Sequence, residues 1–230
     1  NFLGSSHPDI ANTLVSISYF YKYYGKYNLS EDYLLRALEI RKKTFGTKHI
    51  LVNELFQDYA FILLKKSKFK EAKDQCNRAL NINRDLFGEN SLQVAANLSC
   101  LARINSNQGK YNEAINFFKL SLEIKEKILG PNNPDIASSI SALAMVYESI
   151  ADYRMAAELY KRKLNIYENN FGKNHPELAS ALTPIGYMYF NSSDYRESED
   201  YFLRALSILE NKLGKNHPRL RNTLSGLITL

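Results

Sequence analysis

The sequence predicts an all-α fold, a right-handed α-solenoid of antiparallel helix pairs, and three observations predict it. Glycine recurs at 4, 46, 88, 130, 172 and 214, always 42 residues apart and always after a bulky apolar residue: Leu3, Phe45, Phe87, Leu129, Phe171 or Leu213. A fixed period of this size marks a repeat array. Each period carries two apolar stripes at helical spacings of three and four. Columns of small residues interrupt the stripes, where two helices can approach closely. The 230 residues therefore read as a single array over 1–230, with repeats at 3–44, 45–86, 87–128, 129–170 and 171–212 and a partial sixth at 213–230.

Helix A of each repeat starts at a link that often reads His-Pro: His7-Pro8, His175-Pro176 and His217-Pro218, with Asn133-Pro134 as a variant. Proline suits the first helical position, where its missing N–H has no partner to lose. Asp9, Asp135 and Glu177 follow, placing negative charge beside the positive end of the helix dipole. The apolar stripe of helix A runs Leu14, Ile17, Tyr21 in the first repeat and Leu182, Ile185, Tyr189 in the fifth. Its small column is Ser18, Ala60, Ala102, Ala144 and Gly186.

A turn follows at Gly25-Lys26-Tyr27, Ser67-Lys68-Phe69, Gly109-Lys110-Tyr111, Ala151-Asp152-Tyr153 and Ser193-Asp194-Tyr195. Glycine ends a helix in left-handed geometry, and the aromatic residue restarts the apolar pattern. Helix B carries a small column at Ser30, Ala72, Ala114, Ala156 and Ser198, and another at Ala37, Ala79, Ser121 and Ala205 in which Lys163 is the exception. Two helices of about 16–18 residues fit each period at the α-helical rise.

This order of Leu–Ile–small–Tyr, Gly–Tyr, small, aromatic, small resembles the tetratricopeptide repeat, whose usual unit has about 34 residues. The added length, roughly one turn per helix, and the Leu-Gly-x-x-His-Pro link resemble the repeats of kinesin light chains and related proteins. The resemblance covers essentially the whole chain. In such arrays helix A lines a concave face that binds other proteins. It therefore implies a peptide-binding groove formed here by Tyr19, Lys22, Tyr23, Phe61, Lys65, Arg103, Asn107, Met145, Tyr187 and Asn191. Aromatic, Met and Arg groups of this kind serve as binding hot spots. Lys22, Lys65 and Arg103 would pair with acidic groups, and Asn107 and Asn191 would bond a peptide backbone. The expected partner is a protein or peptide with an acidic or aromatic segment. Where kinesin light chains often carry a groove asparagine, this chain has Ser16, Asp58, Cys100, Ala142 and Pro184, so the same cargo specificity does not carry over.

Pro184 falls inside a helix, where proline removes the bond to the carbonyl four residues back, here Ser180, and costs about 3 kcal/mol or a kink. It reads either as a tolerated kink or as a reshaped groove. Cys76 and Cys100 lie in no CxxC or Cys/His cluster, so neither a zinc site nor a disulfide framework is expected; Cys76 reads as a small core hydrophobe. His7, His49, His175 and His217 recur at multiples of the period and read as helix-start residues, with Ser91 and Asn133 in their place in two repeats.

No nucleotide, hydrolase or metalloprotease motif is present, so no catalytic residue, cofactor or metal is expected. The net charge of +6 permits an acidic partner. Direct nucleic-acid binding is disfavoured, because repeats that read single-stranded RNA need a consistent polar pair per unit. No run of about 18 apolar residues exists to span a membrane, no signal peptide opens the chain, and the few cysteines point to a reducing, cytoplasmic compartment. Leu224, Leu227, Ile228 and Leu230 do not read as a polar cap, so a fragment of a longer protein is expected. The sequence leaves open a regulatory or sensor arm of a larger signalling protein or enzyme, and a self-association module.

Overall fold

In the computed structural model, residues 7–230 are described; the first repeat signature, Leu3-Gly4, lies outside them. The described residues form eleven α-helices, three short 3-10 turns and no strand. Helices α1 (Pro8–Tyr23), α3 (Ile50–Lys65) and α5 (Leu92–Asn107) are the A helices of the first three repeats. Their B helices are α2 (Tyr27–Phe45), α4 (Phe69–Phe87) and α6 (Tyr111–Leu129). In the fourth and fifth repeats α7 (Ala137–Ser149) and α9 (Ala179–Asn191) pair with α8 (Tyr153–Phe171) and α10 (Tyr195–Leu213), and α11 (Arg221–Thr229) begins the sixth. A 3-10 turn at Pro134–Ile136, Pro176–Leu178 or Pro218–Leu220 opens each of the last three A helices. The B helices have 19 residues, slightly longer than the apolar pattern predicts, because each continues up to the Leu/Phe-Gly signature.

The link histidines cap helices. Nδ1 of His7, His49, His175 and His217 accepts the N–H two residues on, at 3.2 Å in each case. Asn133 Oδ1 does the same for Asp135 N at 2.9 Å, and Ser91 Oγ accepts from Val94 N at 3.3 Å. Three residue types thus fill one role, pairing a backbone donor that the first helical turn leaves free. The expectation of a structural histidine is met.

The A–B turn is a left-handed cap in every repeat. Gly25 and Gly109 have φ of 69° and 74°, and Ser67, Ala151 and Ser193 hold φ of 58°, 58° and 65° in the same column. The residue after each bonds back five positions: Asp152 N meets Tyr147 O at 2.9 Å, the long bond of a Schellman motif.

The chain forms two compact units, residues 1–117 and 118–230, with the boundary inside α6. In the first, Leu14, Leu34, Leu38, Leu55, Phe56 and Ile62 are buried together. The small columns sit at the helix contacts: Ser18 and Ser30 are fully buried and exchange hydroxyl-to-carbonyl bonds of 2.8 and 2.9 Å across α1 and α2. Polar side chains also tie helix B to the next helix A. Arg41 donates to Leu51 O at 2.6 Å and to Asn12 Oδ1 at 3.0 Å, and Asn83, one period on, reaches Gln93 O at 3.4 Å.

In the second unit, Ile140, Leu143, Leu164, Ile166, Leu182, Ile185 and Phe202 are buried. Phe202 fills the space that glycine leaves: a Cβ on Gly186 would lie 2.7 Å from its ring, and a Cβ on Gly226 would also overlap it. Lys125 Nζ donates to Ser139 Oγ at 2.6 Å, and burial lowers its pKa.

One expectation is corrected. Cys76 and Cys100 form a disulfide between α4 and α5, with Cα atoms 6.5 Å apart, inside the range a disulfide spans. Cys76 is buried in the core as expected, but it is covalently linked. The repeat register explains the pairing. Its helix-B column faces the following helix A at an offset of 24 residues, the same offset that sets Phe202 against Gly226. The bridge removes the cysteine-based argument for a reducing compartment. Among the described residues, no helix is long and apolar enough to cross a membrane.

Candidate functional site

In the first unit, α1, α3 and α5 present their A faces side by side, and five of the expected groove residues gather there. Asp58 is their centre. Tyr19 Oη donates to its Oδ2 at 2.6 Å and Lys22 Nζ to its Oδ1 at 2.8 Å. Lys22 Nζ also stands 4.2 Å from the Tyr19 ring centroid. Burial, and then the bond to the Asp58 carboxylate, raise the Tyr19 pKa far above the ordinary phenol value. Phe61 is half-buried one turn on. Lys22 Nζ, Lys65 Nζ and the Arg103 guanidinium carbon lie 5.5, 5.6 and 5.5 Å from its ring centroid. Each is within the reach of a cation–π contact.

A cavity of about 240 Å³ opens beside this cluster, lined by Lys22, Gln57, Asp58, Phe61, Ala96, Cys100 and Arg103 among others. A second, of about 350 Å³, adjoins it along α3 and α5 and shares Gln57 and Ala96. Asn53 and Asn83 line the second cavity. They belong to a buried amide chain that the sequence reading missed. Asn53 Nδ2 donates to Asn83 Oδ1 at 2.5 Å, and Asn83 Nδ2 donates to Asn97 Oδ1 at 2.6 Å. Asn53 Oδ1 and Asn97 Nδ2 have no partner among the described residues, leaving one acceptor and one donor at the ends of the chain. The clearest signal in the sequence was Asn53, alone among the five full repeats in a column otherwise filled by Ala11, Ala95, Ala137 and Ala179.

Two expected residues stand apart from the cluster. Tyr23 is 86% exposed and packs edge-on to Tyr24 at 5.3 Å. The Asn107 amide donates to Arg103 O at 2.8 Å within its own helix.

In the second unit, Met145, Tyr187 and Asn191 line one open cavity of about 760 Å³ with Glu148, Pro184, Met188 and Arg221. Met145 is 60% exposed. Tyr187 is held by its hydroxyl, which donates to Asn222 O at 2.9 Å. At the wall, Tyr160 Oη donates to Glu148 Oε1 at 2.6 Å; burial, and then this bond, drive the Tyr160 pKa far upward.

Pro184 faces this cavity, and α9 runs through it as continuous helix. The Ser180 carbonyl, which proline leaves without its i+4 donor, accepts instead from Lys163 Nζ at 3.0 Å. Lys163 also donates to Ser141 Oγ at 3.0 Å and is itself buried. Desolvation lowers its pKa, against a smaller upward pull from Glu177. The two departures from the repeat pattern in this unit are therefore partners.

Repeat length, helix order and caps together point to one family, and the comparison with family models decides it. Tetratricopeptide-repeat models match residues 9–85, 51–127 and 93–169, and a second model of the same repeat matches 178–219. The chain belongs to the tetratricopeptide-repeat family. Tetratricopeptide repeats form scaffolds for protein–protein interaction that are typically non-catalytic. Among solved structures, the chain is similar to a Podosopora anserina protein with nearly identical, kinesin-light-chain TPR-like repeats: 18% identity, TM-score 0.77, covering 91% of this chain and 99% of that one. It is also similar to BtubC from P. vanneervenii, at 22% identity and TM-score 0.76, covering 92% and 84% of the two chains. RapI in its apo form gives 20% identity and TM-score 0.67, covering 92% of this chain and 57% of that one. At these identities the likeness concerns the fold, a tetratricopeptide-repeat solenoid of the kinesin-light-chain-like type. No curated protein matches the sequence.

Proposed function

We infer that this tetratricopeptide-repeat chain captures an extended polypeptide segment on the open faces of its A helices, without chemistry of its own. The observation that carries the reading is the distribution of the expected groove residues. Lys22, Phe61 and Arg103 border one cavity, and Met145, Tyr187 and Asn191 border another. Both are open, and both combine apolar rings or thioethers with a few polar groups, the make-up of a recognition site. Met145 and Met188 supply adaptable apolar contact, while the first unit supplies positive charge for acidic residues.

The test is affinity capture from the native lysate by the wild-type chain and by a Tyr19→Ala/Lys65→Ala/Arg103→Ala/Tyr187→Ala variant whose helicity is verified by circular dichroism. A partner held by the wild type and lost from the variant supports the reading. A partner held equally by both moves the working surface to the B helices or the links.

A further inference from the structure

We propose that the Phe61 cluster of the first unit is a site for a phosphorylated side chain, one that recognises a compact dianion in preference to a carboxylate. The inference rests on the reading that this face binds polypeptide, and it specifies the chemistry that the face selects.

The argument is one of charge. Lys22, Lys65 and Arg103 surround a single ring at 5.5, 5.6 and 5.5 Å. Asp58 is committed to Lys22 and Tyr19 at 2.8 and 2.6 Å. Among the described residues, Lys65 and Arg103 form no ion pair with a carboxylate; the ring of Phe61 is the contact each makes. A ring face attracts a cation through its quadrupole but carries no net charge, so two positive charges stay uncompensated on one ring, that of Arg103 lining the cavity beside it. Like charges that share one ring repel unless a counter-charge joins them. Because all three cations converge on one ring, the matching anion is compact and not spread along a chain. A phosphorylated serine or threonine carries close to two negative charges at neutral pH on three acceptor oxygens. The Arg103 fork suits phosphate oxygens in bidentate fashion, and lysine meets them as a point charge. The cavity of about 240 Å³ beside the ring adds Leu64 and Phe61 as apolar contact for the chain that bears the phosphate.

The experiment uses three synthetic heptapeptides identical except for a central serine, glutamate or phosphoserine, with inorganic phosphate as a fourth probe. Affinity is read by calorimetry, and the site by the NMR shift of the Arg103 side-chain N–H. The expected result is that the phosphoserine peptide binds at least tenfold tighter than the glutamate peptide at pH 7.5. That preference shrinks at pH 5.5, where the phosphate loses its second charge, and it disappears in Lys65→Ala/Arg103→Ala, whose exposed positions leave the fold intact. Phosphoserine and glutamate peptides that bind alike overturn the proposal. So does a preference that survives the double substitution, or the absence of any Arg103 shift with phosphopeptide at millimolar concentration. Inorganic phosphate binding as tightly as the phosphopeptide would make this a free-anion site and overturn it too. Glutamate and phosphoserine peptides weakened equally by the double substitution would sink the phosphate preference while leaving peptide capture standing.

Discussion

Lys163 Nζ donates to the carbonyl of Ser180 at 3.0 Å, the carbonyl that Pro184 deprives of its helical partner. A buried lysine and an interior proline are each costly in isolation; here each supplies what the other lacks. Lys163→Met should therefore cost about 1–3 kcal/mol in the wild type, where it orphans a partly buried carbonyl. The cost should be much less beside Pro184→Ala, whose new N–H reaches Ser180 directly. A double-mutant cycle by urea unfolding should give a coupling of about 1 kcal/mol or more. Equal costs in the two backgrounds would mean that the pair is not coupled.

Ala151 occupies the left-handed cap position with φ 58° where the first and third repeats place glycine. An L-residue pays roughly 1–2 kcal/mol there, offset in part by the greater unfolded-state freedom of glycine. Ala151→Gly should raise stability by about 0.5–1 kcal/mol, read as a higher melting temperature. A fall would show that the alanine methyl group makes a contact that outweighs the strain.

The Cys76–Cys100 bridge closes a loop of 24 residues, and a loop of that size is worth about 3 kcal/mol by chain entropy. Adding a dithiol reductant, or Cys100→Ser, should lower the unfolding midpoint accordingly, and intact-mass measurement with and without thiol alkylation should count no free thiol before reduction. Two alkylated cysteines in the untreated protein would contradict the bridge.

Five phenols resist ionisation, Tyr167 and Tyr201 through burial first. The Tyr59 pKa is pushed up to about 12, by burial first and then by the Glu31 carboxylate; Tyr19 and Tyr160 are raised further. Unfolded phenols ionise near pH 10. Between about pH 10 and 12 the unfolded chain has released protons that the folded chain keeps, so folding stability falls as pH rises through this window and is fully present below it. Lys163, whose pKa is lowered, works in the opposite sense up to its unfolded value near 10.5. Tyr59→Phe should therefore flatten the loss of stability between pH 10 and 11.5 in urea titrations. An unchanged slope would place Tyr59 in ordinary solvent.

Most of the fold is legible in the sequence because repetition averages away local noise. Six glycines at one period, a small column at Ala60, Ala102 and Ala144, and the His-Pro links each state the same register several times. The exceptions are legible as exceptions, but their meaning is not. Lys163 and Pro184 stand out in separate columns, and only the packing of α8 on α9 makes them a pair. Cys76 and Cys100 sit in different helices of successive repeats, so their spacing resembles no disulfide framework until helix B is laid against the next helix A. The expected groove residues are legible as a face, since the 42-residue period places Tyr19, Phe61 and Arg103 in one column. Which of them cluster was decided by Asp58, a residue that reads in the sequence only as a missing asparagine.

The central claim, that the A-helix faces hold a polypeptide, is tested most directly by hydrogen–deuterium exchange of the chain free and bound to its captured partner or to a peptide selected from a random library. The account predicts slowed exchange concentrated in α3, α5 and α9, the helices that carry Phe61, Arg103 and Tyr187. Protection confined to the B helices or to the His-Pro links, with those three helices unchanged, would contradict it.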